Sequence, residues 1–244
     1  MYQNRTYRNL FRDDRAFFKV VVKETDLFVH APGHLEQLTR DLILQHRGYI
    51  ESYIKMYPEF ATALTPWRIT GPAPMIIRDM ATAAEKAGVG PMAAVAGAIA
   101  EHVGTDLLSH TDEVVVENGG DIFFKTNDPL TIGIFAGRSP LSLKIGLRID
   151  PGEEPVAVCT SSGTVGHSLS LGKADAVCVI SRSCSLADTV ATSVGNRLKS
   201  EADIQKAIDF GKNIQGVMGL VVIIGNKIGA WGDAEIIPLK GKKG

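Results

Sequence analysis

Apolar and polar positions alternate over short runs at both ends of the chain and recur at helical spacing between them. Two β-favouring runs at 17–22 and 26–31 predict a hairpin around Glu24-Thr25. Apolar residues over 35–54 then fall on one side of a helix, which Pro58 ends. A connector rich in proline and glycine at 65–74 either joins two lobes of a single domain spanning 1–244 or is a rigid loop.

Two further helices follow the connector. The first covers 75–86 and is ended by Gly88 and Gly90, and the second covers 92–103. The second helix consists almost entirely of small residues, which allow another group to approach its backbone closely. That group is either a neighbouring helix or a flat ligand, and composition alone favours the helix.

The rest of the chain predicts a sheet with two helices inserted late. The separating turns are rich in Gly, Asn, Asp and Pro, and Gly225-Asn226 is typical of a hairpin turn. The predicted strands are 113–117, 121–125, 130–135, 143–149, 156–159, 176–180, 219–224, 227–231 and 235–239, with helices at 186–198 and 201–211. Helices placed between blocks of mostly antiparallel strands indicate an α+β fold.

Charge, cysteine number and the first residues of the chain indicate which partners, metal sites and locations to expect. The 244 residues carry a formal net charge of −1 with acids and bases interspersed, which argues against nucleic-acid and membrane binding. Three cysteines at irregular spacing argue against a disulfide framework and a zinc site. With no apolar segment near the first residues, we expect a cytoplasmic protein without a leader, and a homodimer as the commonest soluble assembly.

The segment 159–197 concentrates the candidate chemistry. On the helix predicted there, Asp188 and Thr192 are four residues apart and share a face, so their oxygens can meet one hard cation such as magnesium. A second interpretation is ordinary capping, in which Ser183 or Ser185 caps the helix and Asp188 only favours its positive end.

A glycine turn offers a second candidate. The sequence Asn118-Gly119-Gly120-Asp121 lies between two predicted strands, where glycine allows backbone amides to approach a phosphate or a ring edge. The same residues are also typical of a plain hairpin turn, which we favour for the motif taken alone.

Taken in order, these features resemble the ApbE family of magnesium-dependent flavin transferases. The matching features are the small-residue helix after Gly90, the strand leading into NGGD, the turn TSSG at 160–163, His167 and the helix start ADTVAT. The resemblance covers roughly 88–198. It implies an ApbE-like (T-fold-like) α+β architecture with a mostly antiparallel sheet.

The resemblance also implies roles for individual residues. Asp188 and Thr192 would bind magnesium, together with backbone carbonyls near Ala191 and Ala94. Gly119, Gly120 and Asp121 would line the flavin nucleotide pocket. Thr160, Ser161 and Gly163 would lie near the diphosphate. His167 would lie near the transfer site. The family transfers FMN from FAD to a threonine hydroxyl of an acceptor protein, which the sequence does not identify.

The chain departs from the family pattern at two places. Ala96 stands before Gly97 where the family usually has lysine, and 168–172 reads SLSLG where the family has Asp-Pro and then Thr-Gly. These departures indicate a divergent cytoplasmic branch. We therefore expect a magnesium-dependent enzyme acting on FAD or a related nucleotide, by FMN transfer or diphosphate cleavage. The alternatives are a flavin or nucleotide-binding protein without catalysis, and a purely structural protein.

Histidine and cysteine chemistry is less strongly indicated. His167 is either catalytic or a hydrogen-bonded loop residue, and the other histidines show no ligand spacing. Cys178 lies in an apolar run and is expected to be inert. Cys184 precedes a helix whose positive end would lower the pKa of its thiol, but neither it nor Cys159 has an evident base.

Overall fold

The computed structural model describes residues 17–163 and 172–239. Its largest element is an eight-stranded sheet in the order β1-β2-β3-β4-β7-β8-β9-β10, beside a three-stranded sheet in the order β11-β6-β5. The strands are β1 Phe18–Val22, β2 Thr25–His30, β3 Val114–Asn118, β4 Asp121–Lys125, β5 Leu130–Gly133, β6 Ile145–Ile149, β7 Val156–Ser161, β8 Ala176–Ser181, β9 Val217–Ile224, β10 Lys227–Gly232 and β11 Glu235–Pro238.

Five α-helices accompany the sheets within the described ranges. They are α1 Glu36–Met56, α2 Met75–Ala87, α3 Val95–Leu107, α4 Cys184–Arg197 and α5 Ile204–Lys212. Short 3₁₀ turns precede α3 and α5, at Pro91–Ala94 and Glu201–Asp203. None of the helices in these ranges is long and apolar enough to cross a membrane.

The large sheet separates two apolar cores, because successive strand residues point to opposite faces. Val114, Val116 and Phe123 pack in the core shared with the helices. Their sequence neighbours Val115 and Ile122 pack in a second core shared with the three-stranded sheet. A strand buried on both faces carries apolar residues without alternation, which explains the continuous run VVV in β3.

The predicted α+β class is confirmed, and every strand pairing in the described structure is antiparallel. Two local details differ from the predictions. The first hairpin turns at Lys23-Glu24, since Val22 pairs with Thr25. The small-residue helix becomes α-helical only at Val95, after the 3₁₀ turn that Pro91 opens.

Two histidine-aspartate pairs connect the first three helices. His46 of α1 lies 2.7 Å from an oxygen of Asp106, and His102 of α3 lies 2.9 Å from an oxygen of Asp79. The two imidazole rings are tilted at a centroid distance of 5.1 Å. His46 is buried, and its Nδ1 has no hydrogen-bond partner. These histidines are therefore structural, as their spacing indicated.

We expect His46 to contribute a loss of stability as the pH drops below about 6.5, against the gain that the acids with raised pKa values, Asp121 and Asp188, make over the same range. Burial lowers the pKa of His46, and the nearby His102 lowers it further, against the opposing effect of Asp106. The unfolded chain therefore binds a proton at a higher pH than the folded chain, and each pKa unit of difference corresponds to about 1.4 kcal/mol. Urea unfolding between pH 5 and pH 7.5 measures this loss.

Between pH 7.5 and pH 5, the free energy of unfolding of His46→Gln should rise more, or fall less, than that of the wild type. His34→Gln is the matched control, because His34 is exposed and its replacement should leave the profile unchanged. Equal slopes for wild type and His46→Gln would contradict the assignment.

Candidate functional site

The NGGD motif forms a two-residue hairpin turn between β3 and β4. Asn118 pairs with Asp121 across the turn, and Gly119 and Gly120 have φ angles of 72° and 113°. These positive angles favour glycine at both positions. The fully buried carboxylate of Glu117 accepts a hydrogen bond of 3.0 Å from the Gly120 amide. This bond ties the turn to the end of β3.

Asp121 is buried immediately after this turn. It pairs in the sheet with Cys159 of β7, and the Thr160 amide donates to its carboxylate. Burial raises the pKa of Asp121 well above its usual value, and the neighbouring charges of Asp188 and then Glu117 raise it further. Since like charges are costly in a dry environment, two carboxylates placed this close suit a site that receives a cation.

Asp188 reaches out of α4 towards the start of α3. Its Oδ2 accepts a hydrogen bond of 2.9 Å from the Gly97 amide. The N-cap of α4 is Ser183, whose hydroxyl accepts from the Leu186 amide at 3.2 Å. The capping role is thus filled by Ser183, and Asp188 is free of it.

The environment of Asp188 disfavours a bare negative charge. The side chain is half-buried, and loss of water raises its pKa to about 7, although the hydrogen bond from Gly97 opposes this rise. Near neutral pH the carboxylate therefore gains from any positive charge that enters the site.

Thr192 is the other predicted metal ligand on α4. Thr192 is one turn beyond Asp188 and half-buried, and its hydroxyl makes no hydrogen bond within the described part of the chain. The neighbouring Thr189, in contrast, bonds to the Ser185 carbonyl at 3.1 Å and to Ala83 of α2. Thr192 is thus available to a ligand, whereas Thr189 is structural.

The TSSG turn lies between the hairpin and the end of α4. The Thr160 amide donates to the Gly120 carbonyl at 3.2 Å, and the Ser161 hydroxyl oxygen lies 3.9 Å from an ideal Cβ placed on Gly195. Gly163 is exposed and its amide bonds to the Ala174 carbonyl at 2.9 Å. The Thr160 amide thus meets the Asp121 carboxylate, while the Thr160 hydroxyl donates to Cys178 Sγ at 3.3 Å. Ser161 lies near the end of α4, and the roles of Ser161 and Gly163 stay predictions. His167 lies outside the described residues, so its role stays a prediction.

The donor chemistry fits a hard cation. No group of three or more His, Cys, Asp or Glu side chains in 17–163 and 172–239 is placed to hold a metal ion. A cation bound beside Asp188 would therefore take its other ligands from hydroxyl, carbonyl or ligand oxygens, which magnesium accepts. The carboxylate of Asp188 and the hydroxyl of Thr192 are such oxygens.

A cavity of about 310 Å³ adjoins the site. Its polar wall includes Arg47 and Asn118, and its apolar wall is formed by Ile50, Ile99 and other aliphatic residues of α1 and α3. Asn118 and Ala96 line the cavity and also adjoin the site. The Asn118 side-chain amide donates to the Ala96 carbonyl at 3.0 Å, and the next residue, Gly97, donates its amide to Asp188. The volume is in the range of small-molecule pockets.

The cysteines are buried thiols. Burial raises the pKa of Cys159, raises that of Cys178 to about 11 and raises that of Cys184 to about 12. The prediction of a lowered pKa for Cys184 was wrong, because desolvation outweighs the helix end. Cys178 is inert as predicted, and the raised pKa values disfavour thiol catalysis by all three.

Sequence reasoning assigned no role to three residues that shape the site. Glu117 and Asn118 follow a run of valines, and a charged residue inside such a run is itself a signal of a polar role. Glu101 is the one acid in the small-residue pattern of α3 before His102, and it contacts the start of α4. Spacing along the chain gave no indication of that contact.

Comparisons with known proteins agree with this fold. The family model described as AbpE bacteria matches residues 8–231. A UPF0280 protein of Methanococcus aeolicus is 42% identical over 200 residues, covering 80% of this chain and 81% of its own length. A UPF0280 protein of Methanocella arvoryzae is 42% identical over 219 residues, covering 89% of both chains.

Two solved structures share the fold at low sequence identity. The flavinyl transferase ApbE of Pseudomonas stutzeri superimposes with a TM-score of 0.57 at 16% identity, covering 91% of this chain and 95% of its own. The ApbE protein of Thermotoga maritima gives a TM-score of 0.55 at 15% identity, covering 88% and 96%. The ApbE-like architecture expected from the sequence is therefore confirmed.

Proposed function

This chain belongs to the AbpE bacteria family, and from that premise we propose that it is a magnesium-dependent enzyme acting on FAD or a related dinucleotide. The reaction is transfer of FMN to a hydroxyl acceptor or to water. One observation carries the proposal: the Asp188 carboxylate lies 2.9 Å from the Gly97 amide and close enough to Asp121 for their charges to interact. Two acids with raised pKa values at one glycine turn are costly unless a ligand uses them.

The diphosphate would lie between the glycine turn and α4. Asp188 and Thr192 would hold magnesium, which when bound neutralises negative charge on the diphosphate. Gly119 and Gly120 permit close approach of the nucleotide, since a side chain at either position would be strained by the backbone angle. Ser161 would border the same space with its hydroxyl, and Thr160 with its amide, because the Thr160 hydroxyl donates to Cys178 Sγ at 3.3 Å.

The neighbouring cavity would accept a neutral ring of the nucleotide. Its charged rim is already balanced, because Arg47 bonds to Glu24 at 2.6 Å and to Glu51 at 2.9 Å. A guanidinium shared by two carboxylates is a poor phosphate binder. We therefore assign the phosphates to the α4 side of the site and the ring to the cavity.

Either reaction breaks one phosphorus-oxygen bond of the diphosphate. In transfer, the acceptor oxygen bonds to the phosphorus of FMN, AMP leaves, and the acceptor loses its proton. In hydrolysis, water takes the place of the acceptor and FMN is released. On the family pattern, His167 would receive the proton, and that role rests on the resemblance alone.

The proposal is tested by incubating the purified protein with FAD and magnesium. We expect AMP in stoichiometric amounts with FMN, or with flavin bound covalently to a threonine-containing acceptor, and none of these with EDTA. Chromatography separates the nucleotides, and mass spectrometry detects the added FMN. Absence of AMP under all conditions would contradict the enzyme assignment.

A binding protein without catalysis is the second candidate, and Ala96 favours it. The family's lysine is absent at this position, and its place at the cavity wall is taken by a methyl group. Calorimetric titration with FAD, FMN and ATP, with and without magnesium, separates the candidates. Binding without AMP release supports the second, and no binding leaves a structural protein. The homodimer, the acceptor protein and the cytoplasmic location also stay proposals.

A further inference from the structure

The Glu101 carboxylate of α3 collects three hydrogen bonds from the first turn of α4. Its Oε2 accepts from the Ser185 amide at 2.9 Å, from the Ser185 hydroxyl at 3.0 Å and from the Ser183 hydroxyl at 3.3 Å. Glu101 is half-buried. Hydrogen bonds to its carboxylate are charge-assisted and therefore stronger than hydrogen bonds between neutral groups.

A matching contact lies one helical turn away. The Asp188 carboxylate of α4 accepts from the Gly97 amide of α3, and Glu101 of α3 accepts from the Ser185 amide of α4. Gly97 and Glu101 are four residues apart, and Ser185 and Asp188 are three apart, so both contacts fall on the facing sides of the two helices. Each helix thus supplies one carboxylate and one backbone amide to the other.

Glu101 completes the capping of α4 from another helix. The Ser183 hydroxyl accepts from the Leu186 amide and Glu101 accepts from the Ser185 amide, so the two satisfy different free amides of the first turn. Because the bond from the Ser185 amide to Glu101 joins α4 to α3, it also fixes how the two helices lie against each other.

We propose that Glu101 is a positioning residue that fixes the register of α4 on α3 and thereby holds the Asp188 carboxylate in its cation-binding place. The inference deepens the proposed function and rests on it. A residue that orients a metal ligand typically changes metal affinity by 10- to 100-fold when it is removed.

The first test needs no metal. In Glu101→Ala, amide hydrogen exchange at Gly97 should accelerate at least tenfold relative to exchange at Val103 on the same helix. Glu101→Gln keeps one acceptor oxygen and should recover part of the protection. Ser193→Ala is the matched control on α4, since it removes a buried hydrogen bond to Ala87 away from this contact. Equal acceleration in Ser193→Ala, or none in Glu101→Ala, overturns the inference.

The second test uses Mn²⁺ as a probe in paramagnetic resonance titrations with FAD present. We expect the Kd for Mn²⁺ to rise about tenfold in Glu101→Ala, less in Glu101→Gln, and not in Ser193→Ala. Unchanged affinity in Glu101→Ala overturns the inference while leaving the proposed function intact. Absence of Mn²⁺ binding by the wild type overturns both the inference and the proposed function. The hydrogen-exchange experiment then measures only the contribution of Glu101 to the packing of α3 against α4.

Discussion

Asp188→Asn is expected to reduce magnesium-dependent FAD conversion at least 100-fold and, at the same time, to stabilise the metal-free protein above pH 7. Both effects have one cause. The pKa of Asp188 is raised to about 7, mainly by loss of water, so the charge that would attract a cation is costly when no cation is present. Asparagine keeps an oxygen that can accept from Gly97 and removes the charge.

The direction of the pH dependence follows from linkage. Because the folded protein holds the Asp188 proton up to a higher pH than the unfolded chain, its stabilising contribution is complete below about pH 4 and is lost as the pH rises through 7. At about 1.4 kcal/mol for each pKa unit, the rise to about 7 corresponds to about 4 kcal/mol. Because Asp188 is only half-buried, solvent screening reduces the expected gain of Asp188→Asn at pH 8 to roughly 1–3 kcal/mol. Magnesium should stabilise the wild type at pH 8 and not the variant, and its affinity should fall below pH 7.

Urea unfolding at pH 5 and pH 8, with and without magnesium, measures these effects. The exposed Asp112 provides the control variant Asp112→Asn, which should change neither stability nor conversion. A variant that keeps wild-type conversion, or that is destabilised at pH 8, would remove Asp188 from the site.

Gly97→Ala is expected to destabilise the fold by roughly 1–3 kcal/mol and to abolish conversion in the molecules that remain folded. A Cβ on Gly97 would lie 2.5 Å from the Cys184 carbonyl oxygen and 2.9 Å from the Cβ of Asp188. The first of these contacts is with backbone, which cannot rotate away. The two helices must therefore separate, and Asp188 moves with α4.

Gly48→Ala is the matched control, because Gly48 lies in α1 and an added Cβ there meets nothing within 4 Å. This substitution should be neutral or stabilise the protein by up to about 1 kcal/mol, as alanine favours a helix. Thermal unfolding and AMP release compare the two variants. If Gly97→Ala retained wild-type stability, the close contact between α3 and α4 would be wrong.

Much of the fold was predictable from local pattern. The eleven strands of the described structure correspond to predicted β runs, and α2 differs from the predicted 75–86 by a single residue. The interpretation of NGGD as a hairpin turn is confirmed, and its role in binding a nucleotide stays a prediction. Local sequence sufficed here because backbone angle and side-chain periodicity are short-range properties.

The candidate site was predicted in composition but not in its contacts. Asp188 and Thr192 were predicted as ligands from their spacing on one helix. Glu117, Asn118 and Glu101 were given no role, because their partners are distant in sequence or lie across a turn. The expected low pKa of Cys184 was wrong for the same reason, as burial is a property of the packed protein.

The sequence alone determined the alternation of strands and helices, the two-glycine turn and the helix face that carries Asp188 and Thr192, because these depend on residues within one or two turns of each other. Only the tertiary structure decided that α3 meets α4 closely enough for the Gly97 amide to reach Asp188. It also decided that the Asp121 side chain is buried close to Asp188. Distances and desolvation between remote segments arise from packing, and packing sets the charge balance on which the proposed chemistry depends.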